Sequence, residues 1–448
     1  MADIRTWGVQ YQFHPVGQGL FASGALGNSP YGWMGTQKGD IRFLWVYDCG
    51  TASSPKLVEN AIRRLAERCA ATKALLDLVV LSHFDKDHIS GVVELLGKLE
   101  VDVLLLPYVP LAQRIVLAFE EDIAIDDPLF MFFVDPAGYL NGADVRGIRR
   151  IVFVPPSEGE GPAPPEGGDD RPDRPEPDRR EDGDTYRSEN EDAYRLVFRA
   201  RPWTGDVTGA AGDGGTGVAG NAWMLDRAGV LRAGPLWEFV PYNDQTLAIK
   251  PKDAWLEKVH DLSVQLLREE RKEDREKVLV EIKDLYRAFG NSSLAKNQIS
   301  LFLYGGPIGI AAPAGCRGNY HWAFRDDAPF RHGGEWSYAA RPGQRAAVLY
   351  TGDGYLNSAA RIDALVQFLG NARIDRTAVF QVMHHGARNN WTPGVAARIG
   401  PWFSVFSSEP TRQHQHPHAD VLRDFWLYGP VQVTGGFGAQ VHVWWPWP

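Results

Sequence analysis

Residues 75–91 read LLDLVVLSHFDKDHISG, and this stretch decides how the rest of the chain is interpreted. The apolar run Leu75–Leu81 predicts a buried strand, because short runs of Leu and Val are typical of parallel sheets. Two histidines and two aspartates follow this strand within six residues: His83, Asp85, Asp87 and His88. Imidazole and carboxylate groups are the side chains that hold Zn²⁺ or Mn²⁺. A solvated turn explains one such residue but not four in this order, so the stretch predicts a metal site.

This metal loop resembles that of the metallo-β-lactamase superfamily, whose usual signature is H-x-H-x-D-H. Asp85 stands where the second histidine is expected, and the resulting H-x-D-x-D-H pattern is similar to the hydrolase domain of ComEC-type DNA-uptake proteins. Further segments resemble motifs of that branch and occur in the same order: Val16–Gly19, Asp48–Gly50, Asn297–Leu301, Thr351–Asp353, His384–Gly386, His416–His418 and Thr434–Gly438. Each motif is weak alone, whereas the shared order is specific. The chain departs from the branch at Leu20, Ser90 and Ala387.

The resemblance implies an α/β fold, a metallo-β-lactamase αββα sandwich with a large insertion. Residues 1–108 and 296–448 would form the two halves of the hydrolase domain, and residues 109–295 would be inserted between them. Within the insertion, residues 157–193 are rich in Pro, Gly, Asp, Glu and Arg. Such a composition cannot offset the entropy lost on ordering, so an acidic disordered loop is predicted there. Apolar residues at helical spacing predict a helical segment over 253–290. It is either a plain helical hairpin or one long helix with a solvated middle, or it serves as a cap over the metal cleft or a dimerisation arm.

The resemblance also implies a centre with two divalent metal ions, Zn²⁺ or Mn²⁺. By motif matching, His83 and Asp85 would bind one ion and Asp87 and His88 the other. Asp353 would bridge the two ions. Because Asp85 offers a hard oxygen in place of an imidazole nitrogen, its presence shifts the preference from zinc towards Mn²⁺.

Histidines in the second half of the chain would complete this site. His384 and His416 are predicted metal ligands. Asp87 and His385 are the predicted catalytic residues, the aspartate orienting a water molecule and the histidine protonating the leaving group. Most relatives carry another ligand histidine ahead of the T-G-D motif, and this chain has none at that place. Three residues are predicted to contact the substrate: Asn297, Arg388 and His418.

The composition is that of a globular protein, with 44% hydrophobic and 23% charged residues. There is no signal-peptide pattern, and no apolar stretch approaches the roughly 20 residues of a membrane helix. The three cysteines, Cys49, Cys69 and Cys316, are widely spaced and suggest no disulfide framework. We therefore predict a cytoplasmic protein without a membrane partner. The net charge of −9 argues against a broad basic surface for long duplex DNA.

Three functions are consistent with these residues. The first is a phosphodiesterase or nuclease, whose substrate would be nucleic acid or a small phosphodiester. The second is a hydrolase of a small ester, lactone or cyclic nucleotide. The third, of another class, is a partner-gated effector or metal-binding interaction module, which would bind a protein partner or form a homodimer through the insertion. The tail Trp444–Trp447 is consistent with the third function, because tryptophans are effective interface anchors.

Overall fold

The computed structural model describes the chain apart from its termini and several loops. The described residues are 6–28, 41–120, 123, 127–142, 147–157, 159–163, 184–187, 196–203, 221–244, 253–269, 271–289, 300–308, 315–322, 335–338, 345–411 and 415–446.

Strands and helices alternate in the first part of the chain. The strands are β1 (Thr6–Phe13), β2 (Phe21–Asn28), β3 (Ile41–Cys49), β4 (Leu76–Val80), β5 (Val101–Pro107) and β6 (Ile148–Val154). The helices are α1 (Pro55–Thr72), α2 (Lys86–Ile89), α3 (Val92–Lys98), α4 (Leu111–Glu120), α5 (Pro128–Val134) and α6 (Pro136–Gly142). Helix α1 begins at Pro55, where the missing N–H leaves no donor unsatisfied, and it buries Val58, Ile62 and Leu65.

The middle of the chain adds five short strands and two long helices. The strands are β7 (Asp184–Arg187), β8 (Leu196–Pro202), β9 (Ala222–Leu225), β10 (Leu231–Ala233) and β11 (Trp237–Asn243). The helices α7 (Asp253–Arg268) and α8 (Lys272–Phe289) lie where the sequence predicts helical structure. They contact each other, and α7 also contacts α4. Most of the predicted disordered loop 157–193 lies outside the described residues.

The last part of the chain holds eight strands and four helices. The strands are β12 (Leu301–Pro307), β13 (Gly315–Trp322), β14 (Glu335–Tyr338), β15 (Ala347–Tyr350), β16 (Thr377–Gln381), β17 (Phe403–Ser407), β18 (Pro430–Val433) and β19 (Phe437–Pro446). The helices are α9 (Ala359–Leu369), α10 (Asn371–Asp375), α11 (Val395–Ile399) and α12 (Ala419–Asp424).

All nineteen strands in the described part of the chain belong to one mixed sheet. A continuous path of sixteen strands runs through it in the order β18, β17, β16, β15, β12, β11, β10, β8, β9, β6, β5, β4, β3, β2, β1 and β19. The two ends of this path, β18 and β19, contact each other and are consecutive in the chain. The sheet is therefore a nearly closed ring, with β7, β13 and β14 paired outside the path.

The predicted fold class, an α/β metallo-β-lactamase sandwich, is wrong. The expected sandwich has two sheets, whereas here hydrogen bonds run without interruption from β6 through β9, β8, β10 and β11 to β12. These connecting strands lie within residues 109–295, which we predicted to be an insertion of loop and helix. They are three to seven residues long, too short for alternation of polar and apolar residues to reveal them reliably.

Aromatic side chains fill the space inside the ring. Tyr47 of β3 and Tyr350 of β15 stack with ring centroids 4.5 Å apart. Trp45 packs against Trp237 and Phe239 of strand β11, with centroids 6.2 and 5.2 Å away. Burial of such large rings supplies much of the hydrophobic stabilisation of the fold. The helices cover the outside of the sheet, α1 and α3–α8 in one apolar cluster and α9–α12 in another.

The direction of the strands places the predicted site residues at one edge of the sheet. Strands β3, β4 and β5 are parallel, and so are β15, β16 and β17. The predicted ligands follow the carboxyl ends of β4, β15 and β16, and such ends are where α/β sheets bind their ligands. None of the helices in the described part of the chain is long and apolar enough to cross a membrane.

Candidate metal centre

Four predicted residues bring their ligand atoms together within 4.8 Å at this edge: Asp87, His88, Asp353 and His385. Nε2 of His88 lies 3.1 Å from Oδ1 of Asp353 and 3.9 Å from Oδ2 of Asp87. Nε2 of His385 lies 3.0 Å from the same Asp87 oxygen and 3.7 Å from Oδ1 of Asp353. We call this set the inner group, because both imidazoles are almost completely buried.

A second group of ligand atoms adjoins the first and is more open to solvent. His83, Asp85 and Asp87 also have ligand atoms within 4.8 Å of one another. Nε2 of His83 lies 3.5 Å from Oδ2 of Asp85 and 3.8 Å from Oδ2 of Asp353. The other Asp353 neighbour on this side is His384, whose Nε2 is 3.5 Å from the same oxygen. We call His83, Asp85 and His384 the outer group. The side chains of Asp85 and His384 are 34% and 36% exposed, so the outer group is the side open to solvent.

The atoms of these groups fit divalent metal ions. Ligand atoms at roughly 2.0–2.2 Å from a tetrahedral ion lie about 3.4 Å from one another, which is the spacing found here. Several of the atoms are buried yet form no hydrogen bond of normal geometry: Nε2 of His83, Nε2 of His88, Oδ1 of Asp353 and Nδ1 of His384. A buried polar atom without a partner is destabilising unless something binds it. Three of these atoms face the centre and would be satisfied by bound cations: Nε2 of His83, Nε2 of His88 and Oδ1 of Asp353.

The charges in the cluster also favour a cation. Burial raises the pKa of the Asp353 carboxyl, but the imidazoles, those of His384 and His88 first, outweigh it and hold that pKa well below its usual range. The pKa of Asp87 is lowered in the same way by His88 and His385. Both carboxylates are therefore ionised. Burial lowers the pKa of His88, yet Asp353 and Asp87 raise it well above 6.5, so a metal would displace a proton from this ring.

A buried aspartate that sequence reasoning left without a role orients His88. Asp48 is fully buried, and its Oδ2 accepts a hydrogen bond from Nδ1 of His88 at 2.8 Å. The same carboxylate accepts from the backbone N–H and the hydroxyl of Ser82. A carboxylate on the remote nitrogen is the usual partner of a metal-binding histidine, because it leaves Nε2 as the free acceptor. The sequence could have indicated this role, because Asp48 lies at the end of β3, the strand beside β4.

Replacement of Asp48 by asparagine is expected to weaken Mn²⁺ or Zn²⁺ binding by about 10–100-fold, because His88 loses its charged acceptor. Titration calorimetry would measure this affinity directly. Asp77→Asn is a matched control, since Asp77 is also a buried carboxylate but accepts from the backbone of Leu44 in the sheet. Equal metal affinity in the Asp48 and Asp77 variants would contradict the orienting role.

The turn that carries Asp353 is held from both sides. Oε1 of Gln381 accepts from the backbone N–H groups of Thr351 and Gly352, each at 2.8 Å. The hydroxyl of Ser300 accepts from the backbone N–H of Asp353 at 3.2 Å. Gly352 has a φ of 51°, a left-handed conformation that glycine adopts without strain. These bonds fix the carboxylate of Asp353 at the junction of the inner and outer groups.

The turns that carry Gly50 and Leu20 contact the backbone of the metal loop. A Cβ on Gly50 would lie 2.5 Å from backbone atoms of Asp87 and His88, so only glycine fits there. Leu20, at the position where the resembling proteins carry aspartate, is buried, and its N–H donates to the carbonyl of Asp87. Leu20 thus places an apolar side chain in the core where the resembling proteins carry aspartate. The backbone N–H of Leu20 still binds the metal loop.

The remaining predicted site residues lie around the cluster. His416 is buried, and its ring centroid is 5.8 Å from that of His384, but it is not among the residues whose ligand atoms converge. His418 accepts through Nδ1 from the backbone N–H of Arg388 at 3.3 Å and stands at the start of α12. The guanidinium of Arg388 forms an ion pair with Asp420, with Nε 2.6 Å from the carboxylate. Asn297 lies outside the described residues.

No family model matches the chain, and no curated protein matches it significantly. Its function has to be inferred from the chemistry of the centre itself.

Proposed function

We propose that this protein is a metal-dependent hydrolase that acts on phosphodiesters. The observation that carries the proposal is the position of Asp353, whose two oxygens face different groups of ligand atoms. Oδ1 lies by His88 and His385, and Oδ2 lies by His83 and His384. One carboxylate between two such groups is the arrangement expected for a pair of divalent ions.

Such ions, when bound, supply a water of lowered pKa and stabilise negative charge on the oxygens of the substrate. The protein residues hold and orient the groups around that water. Asp87 is ionised, and ligand atoms of the inner group as well as those of His83 and Asp85 lie within 4.8 Å of its carboxylate, which suits it to accept a proton. His385 donates through Nδ1 to the carbonyl of Ser407 at 2.6 Å, so its ring cannot turn away from the centre. The buried imidazoles of His83 and His88 exclude bulk water from one side.

The open side of the centre supports a phosphodiester substrate. Exposure of the ligand side chains rises from zero at His88, through 13% at Asp353, to 34% at Asp85. A substrate must therefore approach over the outer group. Centres that hold two divalent ions are suited to displacement at phosphorus. A hydrolase of small esters or lactones remains the second interpretation, since the same water attacks a carbonyl carbon.

Hydrolysis of bis(p-nitrophenyl) phosphate and of labelled single- and double-stranded DNA tests this function. Each substrate is incubated with Mn²⁺, Zn²⁺ or EDTA, and p-nitrophenyl acetate is run beside them. We expect cleavage of the diester with added metal and its loss with EDTA. Cleavage of DNA would identify a nuclease. Turnover of the acetate alone would favour the second interpretation, and no turnover of any substrate by metal-loaded protein would contradict a hydrolase.

Metal removal is expected to lower the thermal stability as well. The inner group joins the metal loop to the turns after β15 and β16, so an ion there binds the folded chain and not the unfolded one. At a metal concentration about 100 times the Kd the folded state gains about 2.7 kcal/mol. A melting temperature that is the same with Mn²⁺, Zn²⁺ and EDTA would contradict the metal centre itself, whatever the substrate.

A further inference from the structure

The side chain of Ser82 contacts residues of both the inner and the outer group. Oγ lies 2.8 Å from Nδ1 of His83 and 3.4 Å from Nδ1 of His88. Ser82 is completely buried and follows the end of β4. A Cβ on Gly352 would lie 2.6 Å from the Cβ of Ser82, so the turn that carries Asp353 packs directly on this serine. The metal loop and that turn therefore meet at Ser82.

The hydroxyl of Ser82 donates its only hydrogen to Asp48. Oγ lies 2.6 Å from Oδ2 of Asp48, and an ionised carboxylate is an acceptor only. Because that hydrogen is used, the contact with His83 is a hydrogen bond only when Nδ1 of the imidazole carries a proton and donates it to Oγ. This bond selects one tautomer of the neutral ring, in which Nε2 of His83 has no hydrogen.

Nε2 of His83 is thereby directed at the outer group. It lies 3.5 Å from Oδ2 of Asp85 and 3.8 Å from Oδ2 of Asp353. At His88 the same result is reached without an intermediate, because Nδ1 donates to Asp48 directly at 2.8 Å. One buried carboxylate thus orients both imidazoles of the metal loop, and for His83 it acts through the hydroxyl of Ser82.

The rest of the outer group is held less firmly than His83. The side chains of Asp85 and His384 are 34% and 36% exposed. Within the described part of the chain, Nδ1 of His384 has no hydrogen-bond partner. His83 is buried, and its remote nitrogen is bonded to Ser82. An ion in the outer group therefore depends on His83 for its one preoriented ligand.

We propose that Ser82 is a positioning residue, whose hydroxyl holds Nε2 of His83 in place for an ion bound by the outer group. This inference rests on the proposed function, because it assumes a centre with two ions. Removal of the hydroxyl would leave Asp48 in place, since the backbone N–H of Ser82 and Nδ1 of His88 still donate to it, at 2.7 and 2.8 Å. The inner group would then keep its geometry while the ring of His83 loses its acceptor.

Ser82→Ala tests this role by calorimetry with Zn²⁺ and with Mn²⁺. We expect one ion to bind within about threefold of wild type and the other about 10–100-fold more weakly, the usual effect of removing the partner behind a ligand histidine. Asp48→Asn should weaken both ions, because it changes the acceptor of both His88 and Ser82. Ser404→Ala is the matched control. Ser404 is equally buried, and its hydroxyl donates to the carbonyl of Tyr428 at 2.8 Å near the start of β17, away from the centre.

A second set of variants identifies the ion that is weakened. In a His83→Ala background, Ser82→Ala should not change the affinity of the remaining ion, because the ring that the hydroxyl holds is absent. In a His385→Ala background, which lacks an inner ligand, Ser82→Ala should still weaken the remaining ion by about 10-fold or more. Such non-additivity with His83 alone is the mark of a direct interaction between two residues.

The outcomes separate this inference from the proposed function. Equal weakening of both ions in Ser82→Ala, together with a lower melting temperature in EDTA than that of Ser404→Ala, would overturn it, because the hydroxyl would then support the fold. Unchanged affinity for both ions would also overturn it, as would binding of a single ion by wild type. If wild type binds two ions but cleaves no diester, the proposed function fails, and the two affinities still decide on Ser82.

Discussion

Replacement of Asp353 by asparagine is expected to reduce metal-dependent hydrolysis by at least about 10²–10³-fold. The amide would keep the size of the side chain but lose its charge and one of two acceptor oxygens. Those oxygens lie 3.1 Å from Nε2 of His88 and 3.5 Å from Nε2 of His384, so one group loses its Asp353 oxygen and the other keeps only an uncharged amide oxygen. A change at His83 or at His385 would affect one group only.

The same variant should lose metal binding without losing its fold. The backbone of Asp353 is held by Ser300 and Asn390, and neither bond involves the carboxylate. Calorimetry with Mn²⁺ and Zn²⁺ should therefore show fewer bound ions or a strongly weakened affinity, while circular dichroism is unchanged. Asp363→Asn, on the exposed side of α9, is the matched control. Wild-type metal stoichiometry together with wild-type turnover in Asp353→Asn would contradict the shared-carboxylate centre.

The largest effect on stability is expected at an ion pair far from the centre. Arg373 of α10 and Glu238 of β11 are almost completely buried, and Nε of the arginine is 2.9 Å from Oε1 of the glutamate. The guanidinium also donates to the carbonyls of Pro162, Ala163 and Leu369. Glu238→Ala leaves this cation buried without its counter-ion, which typically destabilises a protein by about 3–5 kcal/mol.

Urea unfolding monitored by circular dichroism would measure this loss. Replacing both residues by methionine should recover much of the stability, because the desolvated charge is then removed together with its partner. Glu67→Ala breaks the exposed pair between Arg63 and Glu67 and should change the free energy of unfolding by less than about 1 kcal/mol. Equal effects of Glu67→Ala and Glu238→Ala would show that β11 is not packed into the ring as described.

The metal loop is the part of the site that could be recognised from the sequence. Its ligand types lie within six residues after an apolar strand, and local chemistry of that density needs no tertiary information to be noticed. Asp353, His384 and His385 were singled out through the order of short motifs. The structure brings ligand atoms of Asp353 and His385 to the metal loop, and Nε2 of His384 to Asp353. Their roles as ligands or catalysts remain predictions.

Other members of the site could not be assigned from the sequence. Asp48 occurs in ordinary surroundings in the chain, and its position beside His88 arises from folding. The two nitrogens of His385 are likewise equivalent in a sequence. Nδ1 donates to the carbonyl of Ser407 at the end of β17, and this hydrogen bond leaves Nε2 facing the centre.

The sequence by itself determined the kinds of ligand atoms, their order along the chain, and the strand that carries the first of them, because these depend on neighbouring residues. Only the tertiary structure decided the sheet. The hydrogen bonds that join β6 to β12 run through β9, β8, β10 and β11, which are three to seven residues long. Such short strands are stabilised by their partners and by burial of residues such as Trp237 and Phe239 within the ring. That stabilisation comes from contacts between distant parts of the chain, which a local pattern does not contain.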